Sequence, residues 1–286
     1  MSMIVNRRDV DFMFYEALGL DEMLKADRFA DYDRDSLEAM FDLCQSIAEE
    51  EFLPCAGKLD ANEPQFVNGE VETIPEVKQA ISAFKQAGLC ASGYDADIGG
   101  MQLPWMVDQA LNGMFVCANN PIHIYLFLTQ GVANMLNVCG SAELKNKYLS
   151  PLVEGDWFGT MCLSEPQAGS SLADITTKAE PQGDGSYKIS GTKMWISGGE
   201  QDLSDNIIHM VLAKVPGGPA GVKGISLFLV PKIRVNDDGS LAERNNVALA
   251  GLNHKMGCRG ATNTLLNFGE AGDCIGYLVG NENEGL

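Results

Sequence analysis

The chain has 286 residues, of which 45% are hydrophobic and 21% charged, a composition typical of a folded globular protein rather than a disordered one. Its length predicts about two domains, each able to bury its own core. The 39 Asp and Glu residues outnumber the 20 Lys and Arg residues, for a formal net charge of -19 at pH 7. A phosphate backbone or an anionic membrane surface repels such a chain, and no basic run offsets the repulsion. We therefore expect neither nucleic acid nor a membrane as a partner.

The first residues lack the apolar segment of a signal peptide. The longest apolar run, 122–128, falls far short of the roughly 20 residues that span a bilayer, and we interpret it as part of a buried helix. Eight cysteines are scattered without a C-x-x-C pair, which favours buried, reduced thiols and a cytoplasmic location. The three histidines, 123, 209 and 254, show no metal-ligand spacing, so we expect no metal site.

The first half of the chain reads as helices. One apolar face is formed at steps of three and four by Leu37, Met40, Phe41, Cys44, Ile47 and Ala48. Asp35 and Glu38 resemble a helix start signal before that face. A second helix is expected to open at Thr73–Glu76 with a capping pair and Pro75 in its first turn, and to stop at Gly88. Further helices are expected at about 103–118, 122–138 and 141–153, separated by loops.

After about residue 157 the pattern changes to short strands bounded by turn signals. Strands are predicted at 158–163, 187–190, 207–214, 225–231, 264–268 and 275–279. Helices first and strands afterwards indicate a segregated α+β chain, with domains at 1–157 and 158–286. A Rossmann or P-loop nucleotide site is disfavoured, because the sequence has no βαβ alternation, no Gly-x-Gly-x-x-Gly and no Gly-Lys-Ser/Thr.

Two segments of the second half carry the chemistry. In 161–171, a strand runs into Ser, Pro and Gly, where Gly169 allows a ligand close to the main chain and Ser170 offers a hydroxyl. A plain strand-to-loop turn is the alternative. In 193–199, regular alternation places Trp195 and Ser197 on one face of a strand. An indole beside a hydroxyl suits a planar, heteroatom-rich ring, while a buried core tryptophan explains the same residues equally well.

Taken together, these segments resemble the acyl-CoA dehydrogenase family. The family pattern Leu/Val-Thr/Ser-Glu-Pro-x-Ala-Gly-Ser is met by 163–170, and Gly-x-Lys-x-x-Ile-Ser/Thr is met by 191–197. The similarity continues through 224–231, 255–257 and 280–286, so it covers nearly the whole chain. The segments 9–15 and 198–207 resemble a bacterial subgroup with long chains that includes 3-methylmercaptopropionyl-CoA dehydrogenases.

The resemblance implies an N-terminal all-helical domain, a β-barrel-like middle domain and FAD at the domain junction. It implies flavin-ring contacts from Met161, Leu163 and Ser164, and a turn near the cofactor phosphates and the acyl-CoA at Gly169 and Ser170. Trp195 is expected along the flavin and Ser197 near its N5 edge. The implied reaction removes the α-proton of an acyl-CoA and passes the β-hydride to N5, where FAD carries the redox chemistry. The implied partners are the acyl-CoA substrate and electron-transfer flavoprotein or another electron acceptor.

The sequence departs from the family pattern at several positions. Ser171 stands where Asp is usual, Gln167 replaces a common Gly, and Met161 is often aromatic in the family. The stretch 258–264 differs from the subgroup, which leaves the acyl specificity open. Glu165 lies where the family does not place its glutamate base.

The family continues beyond Leu286 into a C-terminal helical domain that supplies the catalytic base and much of the subunit interface. We therefore expect the chain to be the N-terminal portion of a longer enzyme, with no catalytic base of its own, little activity alone and a homo-oligomeric full-length form, a homodimer, in fatty acid metabolism. A related flavin reaction, such as nitroalkane oxidation, is the alternative within the same fold. A stand-alone, non-catalytic binding module is the alternative outside the enzyme class.

Overall fold

A computed structural model describes residues 2–286. Its first half is helical: the α-helices are α1 Arg7–Asp11, α2 Leu20–Met23, α3 Arg34–Ile47, α4 Ala56–Ala61, α5 Pro75–Gln86, α6 Trp105–Cys139 and α7 Ala142–Val153. Single turns of other helix types extend α1 and α3 and connect the rest, and a short hairpin pairs β1 Gln65–Val67 with β2 Glu70–Glu72. The predicted helical first half is therefore confirmed.

Helix α3 shows why the apolar spacing folds as it does. Leu37, Phe41 and Cys44 are buried on one face, as predicted. The predicted start signal is wrong by one half-turn, because Asp33 rather than Asp35 caps the helix. The Asp33 carboxylate accepts from the Ser36 N–H at 2.8 Å, and the Ser36 hydroxyl oxygen accepts from the Asp33 N–H at 2.9 Å. This reciprocal pair satisfies two backbone donors at the helix start.

Helix α5 begins at Pro75, which occupies its first turn as predicted. The predicted capping pair of Thr73 and Glu76 does not form. The Thr73 hydroxyl instead donates to Asp202 at 3.4 Å, and Glu76 pairs with Lys58. Both side chains therefore connect separate parts of the chain.

Helix α6 spans 35 residues and consists of two helices separated by a kink, as predicted for 103–118 and 122–138. The two halves meet at Asn119, whose backbone is non-helical, just before Pro121. The Asn119 side-chain amide donates to the Phe52 carbonyl at 3.0 Å, which fixes the break against the helical core. By length and composition α6 could cross a membrane. We interpret it as the core helix of the protein, because it buries Asp108 and His123 together with its apolar face.

The second half contains ten strands: β3 Trp157–Cys162, β4 Lys178–Pro181, β5 Tyr187–Ser197, β6 Asn206–Lys214, β7 Ile225–Pro231, β8 Ile233–Val235, β9 Leu241–Arg244, β10 Val247–Leu252, β11 Asn263–Phe268 and β12 Ile275–Val279. Eight of them form one sheet in which β10, β11, β5, β12, β7, β6 and β3 follow one another. Strand β3 is parallel to β6, whereas the other pairs along this path are antiparallel. The predicted α+β class, helices followed by a β domain, is confirmed.

The sheet curls on itself. Strand β4 pairs with β5 and also touches β6, two strands that are not neighbours along the main path. Strands β6 and β7 are consequently buried on both faces: Met210 packs toward α6 and α7, while Val211 and Phe228 lie in a second core enclosed by the sheet. We describe this domain as a curled sheet rather than a closed barrel, and the domain limits 1–157 and 158–286 stay a prediction.

The cysteines do not all follow the expected burial. Five thiols are buried, at Cys44, Cys55, Cys90, Cys162 and Cys274. Cys117 is exposed although it lies among apolar residues in sequence, because it falls on the outer face of α6, and Cys139 is exposed as the last residue of that helix. Apolar neighbours in sequence do not guarantee burial on a helix, since only one face is covered.

Candidate functional site

The two segments singled out in the sequence lie side by side. The N–H of Met194 in β5 donates to the carbonyl of Ser164 at 2.9 Å, and the Nζ of Lys193 donates to the carbonyl of Leu163 at 2.9 Å. The loop that leaves β3 is thus bonded directly to β5. Met161, Leu163 and Ser164 are each partly exposed on this edge. The structure brings together residues that are some 30 positions apart.

Trp195 is not a core residue. Its side chain is 53% exposed, and its φ of 66° lies in the left-handed region. The pairing of β5 with β11 shifts at this point, with Ile196 opposite Thr264 and Met194 opposite Leu265. Trp195 therefore sits in a β-bulge, a device that redirects one side chain and is frequent beside active sites. The core-tryptophan alternative is wrong, and regular alternation does not describe the strand here because the bulge interrupts it.

Ser197 lies at the end of β5 on the wall of a cavity of about 310 Å³. The other lining residues come from α6: Val116, Asn120, His123, Ile124, Phe127 and Leu128. The amide of Asn263 donates to the Ser197 hydroxyl oxygen at 3.4 Å. The cavity wall is mostly apolar, and a hydroxyl at its edge can orient a polar group of a ligand whose remainder is apolar.

His123 does not add a charge to this cavity. Its ring Nε2 lies 2.9 Å from the Asn112 side-chain oxygen, and burial lowers the pKa of the imidazole to about 4. The ring is therefore neutral at pH 7, which keeps the cavity wall uncharged.

Backbone hydrogen bonds between Glu165 and Ala168 close the loop that follows β3, and the next two residues, Gly169 and Ser170, face open space. The N–H of Glu165 donates to the Ala168 carbonyl at 2.7 Å, and the N–H of Ala168 donates back at 3.0 Å. Gly169 and Ser170 follow directly and are exposed, and a Cβ added at Gly169 would meet no atom within 4 Å. Space for a ligand beside the main chain is therefore present. The Ser171 hydroxyl donates to Asp174 at 2.7 Å and so stays within the loop.

Sequence reasoning did not identify how the two segments are held together. Glu165 and Lys193 form an ion pair at 3.0 Å with side chains 1% and 0% exposed. In the sequence, Glu165 and Lys193 are simply two charged residues beside short predicted strands. Their burial depends on an ion pair between residues 28 positions apart, which no local pattern indicates. The other site residues, which are polar or apolar, give no formal charge to the exposed edge.

Two family models match the chain in succession: "Acyl-CoA dehydrogenase, N-terminal domain" over residues 34–156, and "Acyl-CoA dehydrogenase, middle domain" over residues 160–270. Together they cover most of the chain. It belongs to the acyl-CoA dehydrogenase family. The helical half and the curled sheet are thus the N-terminal and middle domains of that family, which confirms the resemblance carried by the two motifs.

Curated acyl-CoA dehydrogenases match along nearly the whole chain. The 3-methylmercaptopropionyl-CoA dehydrogenase of Ruegeria pomeroyi is 36% identical over 279 residues, which cover 98% of this chain and 47% of that protein. A butyryl-CoA dehydrogenase of Syntrophomonas wolfei is 35% identical over 279 residues, which cover 96% of this chain and 46% of that protein. The chain therefore spans about half the length of the curated relatives it matches.

A solved structure shares the fold. The acyl-CoA dehydrogenase from Bacillus anthracis, complexed with FAD, superposes with a TM-score of 0.69 at 21% identity, covering 89% of this chain and 39% of that one. At this identity the likeness establishes the acyl-CoA dehydrogenase fold. The roles of Met161, Leu163, Ser164, Gly169, Ser170, Trp195 and Ser197 stay predictions, which rest on the geometry described above.

Proposed function

We propose that this chain forms the flavin- and acyl-binding part of an FAD-dependent acyl-CoA dehydrogenase, an oxidoreductase that dehydrogenates an acyl-CoA thioester between its α and β carbons. The observation that carries the proposal is Trp195, a large apolar ring held in solvent by a bulged backbone. An indole left in solvent does not gain the favourable free energy of burying its apolar surface, and a left-handed backbone conformation strains a non-glycine residue. Both costs are understandable if a flat ligand covers the ring.

The residues around Trp195 fit the isoalloxazine ring of FAD. The indole offers a flat face, and the Ser197 hydroxyl two residues later offers a hydrogen bond at the ring edge. Met161, Leu163 and Ser164 lie on the neighbouring edge, bonded to β5 through the Ser164 carbonyl. The open tip at Gly169 and Ser170 leaves room for cofactor phosphates or for the acyl-CoA. These seven residues are our proposed cofactor-binding set, with Ser170 also a substrate contact.

The cavity between Ser197 and α6 is the proposed acyl-chain site. Its lining by Val116, Ile124, Phe127 and Leu128 excludes water from an apolar chain, and the neutral His123 adds no charge. Because Ser197 lies on the same wall, an acyl chain in the cavity ends beside the proposed flavin edge. That arrangement places the reacting carbons next to the cofactor.

FAD, when bound, supplies the redox chemistry by accepting the β-hydride at N5. The protein residues bind the ring, orient the thioester and keep water away. Glu165 does not take the α-proton: burial alone would raise the pKa of its carboxyl, but the hydrogen bonds that it accepts from buried donors hold that pKa at about 2. A base with so low a pKa is fully ionised but weakly basic at pH 7. The base is therefore a different residue.

The proposal includes a few further expectations. The reduced flavin passes its electrons to electron-transfer flavoprotein or to another acceptor. The enzyme acts in fatty acid metabolism in the cytoplasm, as a homodimer or another homo-oligomer. The electron acceptor, the metabolic role and the oligomer rest on the family, whose fold and motifs the chain carries, and the location rests on the scattered cysteines.

The test uses the protein in its native length. We expect the purified protein to contain one FAD per chain, with the visible absorption of a flavin and with quenched FAD fluorescence. Adding an acyl-CoA without oxygen is expected to bleach the visible absorption. Nitroalkanes in place of acyl-CoA are the control for the alternative reaction. A protein that takes up no FAD, or whose flavin acyl-CoA does not reduce, contradicts the proposal.

A further inference from the structure

The ion pair of Glu165 and Lys193 lies where the two proposed flavin-binding segments touch. Glu165 directly follows Ser164, and Lys193 precedes Trp195 by two residues. The two charged groups are 3.0 Å apart with side chains 1% and 0% exposed, so solvent screens this pair very little. In every other ion pair among the described residues, at least one side chain is more exposed than either side chain of the Glu165–Lys193 pair.

Glu165 accepts hydrogen bonds from several groups besides Lys193. Its Oε1 accepts from the N–H and the hydroxyl of Thr177, at 3.0 and 2.6 Å. Its Oε2 accepts from the N–H and the hydroxyl of Thr176, at 2.7 and 2.8 Å, and from the Gln167 amide at 2.7 Å. One carboxylate therefore organises both ends of the loop that contains Gly169 and Ser170.

Lys193 connects this carboxylate to the strand that carries Trp195. Its Nζ donates to Glu165 and to the Leu163 carbonyl at 2.9 Å, so it joins β5 to the end of β3. The same strand is pressed against the Thr177 side: a Cβ at Gly191 would lie 2.5 Å from the Thr177 hydroxyl oxygen. These contacts fix the position of the loop relative to strand β5 and to Thr176 and Thr177.

Stability alone does not explain such a pair. Removing two charges from water is costly, and apolar residues of similar volume often stabilise a protein as well as a buried ion pair does. A charged, many-bonded pair does supply a fixed geometry, because each bond is directional and few alternative arrangements satisfy them all. The fixed geometry here is the spacing of Ser164 and Trp195.

We propose that Glu165 and Lys193 are positioning residues of the flavin site, which set the distance between the Ser164 loop and the Trp195 indole without touching the cofactor. The inference rests on the proposed function. It adds that the affinity and electronic environment of the flavin depend on two side chains buried behind the site.

The experiment compares Glu165→Gln, Lys193→Met and the double variant in the native-length holoenzyme. Both replacements remove the charge; Glu165→Gln keeps the side-chain length, and Lys193→Met shortens it by one atom. We expect each single variant to unfold more easily because it leaves one buried charge unpaired. The double variant is expected to recover only the part of the loss that is due to the unpaired charge, because the amide nitrogen introduced by Glu165→Gln faces the hydrogen-bond donors of Thr177 or Thr176. FAD affinity is expected to stay at least tenfold weaker in the double variant, with a changed visible spectrum and a shifted flavin reduction potential.

Lys188→Met is the matched control. Lys188 lies on the same strand and pairs with Asp273, but both side chains are largely exposed, at 42% and 59%. We expect its FAD affinity, spectrum and potential to match the wild type. Lys193→Arg provides a second test that keeps the charge; it is expected to fold and to show a smaller change in spectrum and potential than Lys193→Met.

The outcomes separate the two proposals. A wild-type protein that binds no FAD overturns the proposed function itself. A wild type that binds FAD, together with a folded double variant of unchanged affinity, spectrum and potential, overturns only the positioning role. If the charge-removing variants do not fold, a Lys193→Arg holoenzyme with wild-type spectrum and potential overturns it equally.

Discussion

The helical half and the site edge of the β half are held together by different physics. Around α6, aromatic rings pack edge to face: Phe115 lies 4.9 Å from Phe52 and 4.8 Å from Phe84 between ring centroids. At the site edge, directional hydrogen bonds to Glu165 and Lys193 hold the segments together instead. Apolar packing tolerates small rearrangements, whereas a bonded network accepts few. The difference suits a scaffold on one side and a site of defined geometry on the other.

The largest expected effect is in the helical core. Phe115 is fully buried between two aromatic rings, so Phe115→Ala removes its burial and leaves a cavity. We expect a loss of about 3–5 kcal/mol in the free energy of unfolding. Urea denaturation of wild type and variant measures it, with Phe115→Leu as the milder control. An Ala variant as stable as the wild type would mean that the aromatic cluster does not support this half.

A comparable loss is expected when one partner of the bonded network is removed. Lys193→Met leaves the Glu165 carboxylate buried with its hydrogen bonds but without its cation, at a cost of about 3–5 kcal/mol. The difference from Phe115→Ala should appear in a second mutation: adding Glu165→Gln removes the unpaired charge and recovers part of the stability, whereas no single change refills the Phe115 cavity. Strict additivity of the two substitutions would contradict coupling within the network.

The pH dependence separates the bonded network at Glu165 from the two buried histidines, His123 in α6 and His209 in β6. The pKa of Glu165 is about 2 in the folded protein against an ordinary 4.5, so its contribution to stability is present above pH 4.5 and is lost as the pH falls toward 2. Burial lowers the pKa of His123 from 6.5 to about 4 and of His209 to about 3, so their contributions begin to be lost below pH 6.5.

Equilibrium unfolding between pH 7 and pH 2 measures this profile. We expect Glu165→Gln to flatten the part of the curve below pH 4.5 while the decline that begins near pH 6.5 remains. A variant whose slope below pH 4.5 equals that of the wild type would show that Glu165 is not the group responsible.

The smallest effect on stability, and a large one on binding, is expected at Trp195. It is 53% exposed, so Trp195→Ala loses little buried area. FAD retention should nevertheless weaken, because the indole that we propose to lie along the flavin is gone. Trp157, which is 6% exposed and packs against Tyr148, is the control: Trp157→Ala should lower stability strongly. Equal FAD occupancy in wild type and Trp195→Ala would remove Trp195 from the proposed site.

Much of the fold was predictable because its signals are local. Strands β7 and β12 have the predicted limits, and Pro75 begins its helix as expected. The signals that failed depend on partners far away in sequence. Glu76 pairs with Lys58 instead of capping its helix, and the Thr73 hydroxyl donates to Asp202.

The site shows the same division. The motif around Leu163–Ser170 and the Trp195–Ser197 pair were visible in the sequence, as were the small residues that leave space for a ligand. The bulge at Trp195 was not, because it depends on the register of β5 against β11. The burial of Lys193 was not visible either, since a lysine in a strand is ordinarily at the surface and only its contacts with Glu165 and Leu163 compensate the burial.

The left-handed backbone at Trp195 also sets a limit on how this protein can be improved. Glycine and asparagine adopt a φ near 66° more readily than tryptophan does, so either would relax the main chain at this position. A screen that selects for thermal stability alone would therefore favour losing the indole, and with it the proposed cofactor surface. If the proposed function holds, a screen for stability must select for flavin retention at the same time.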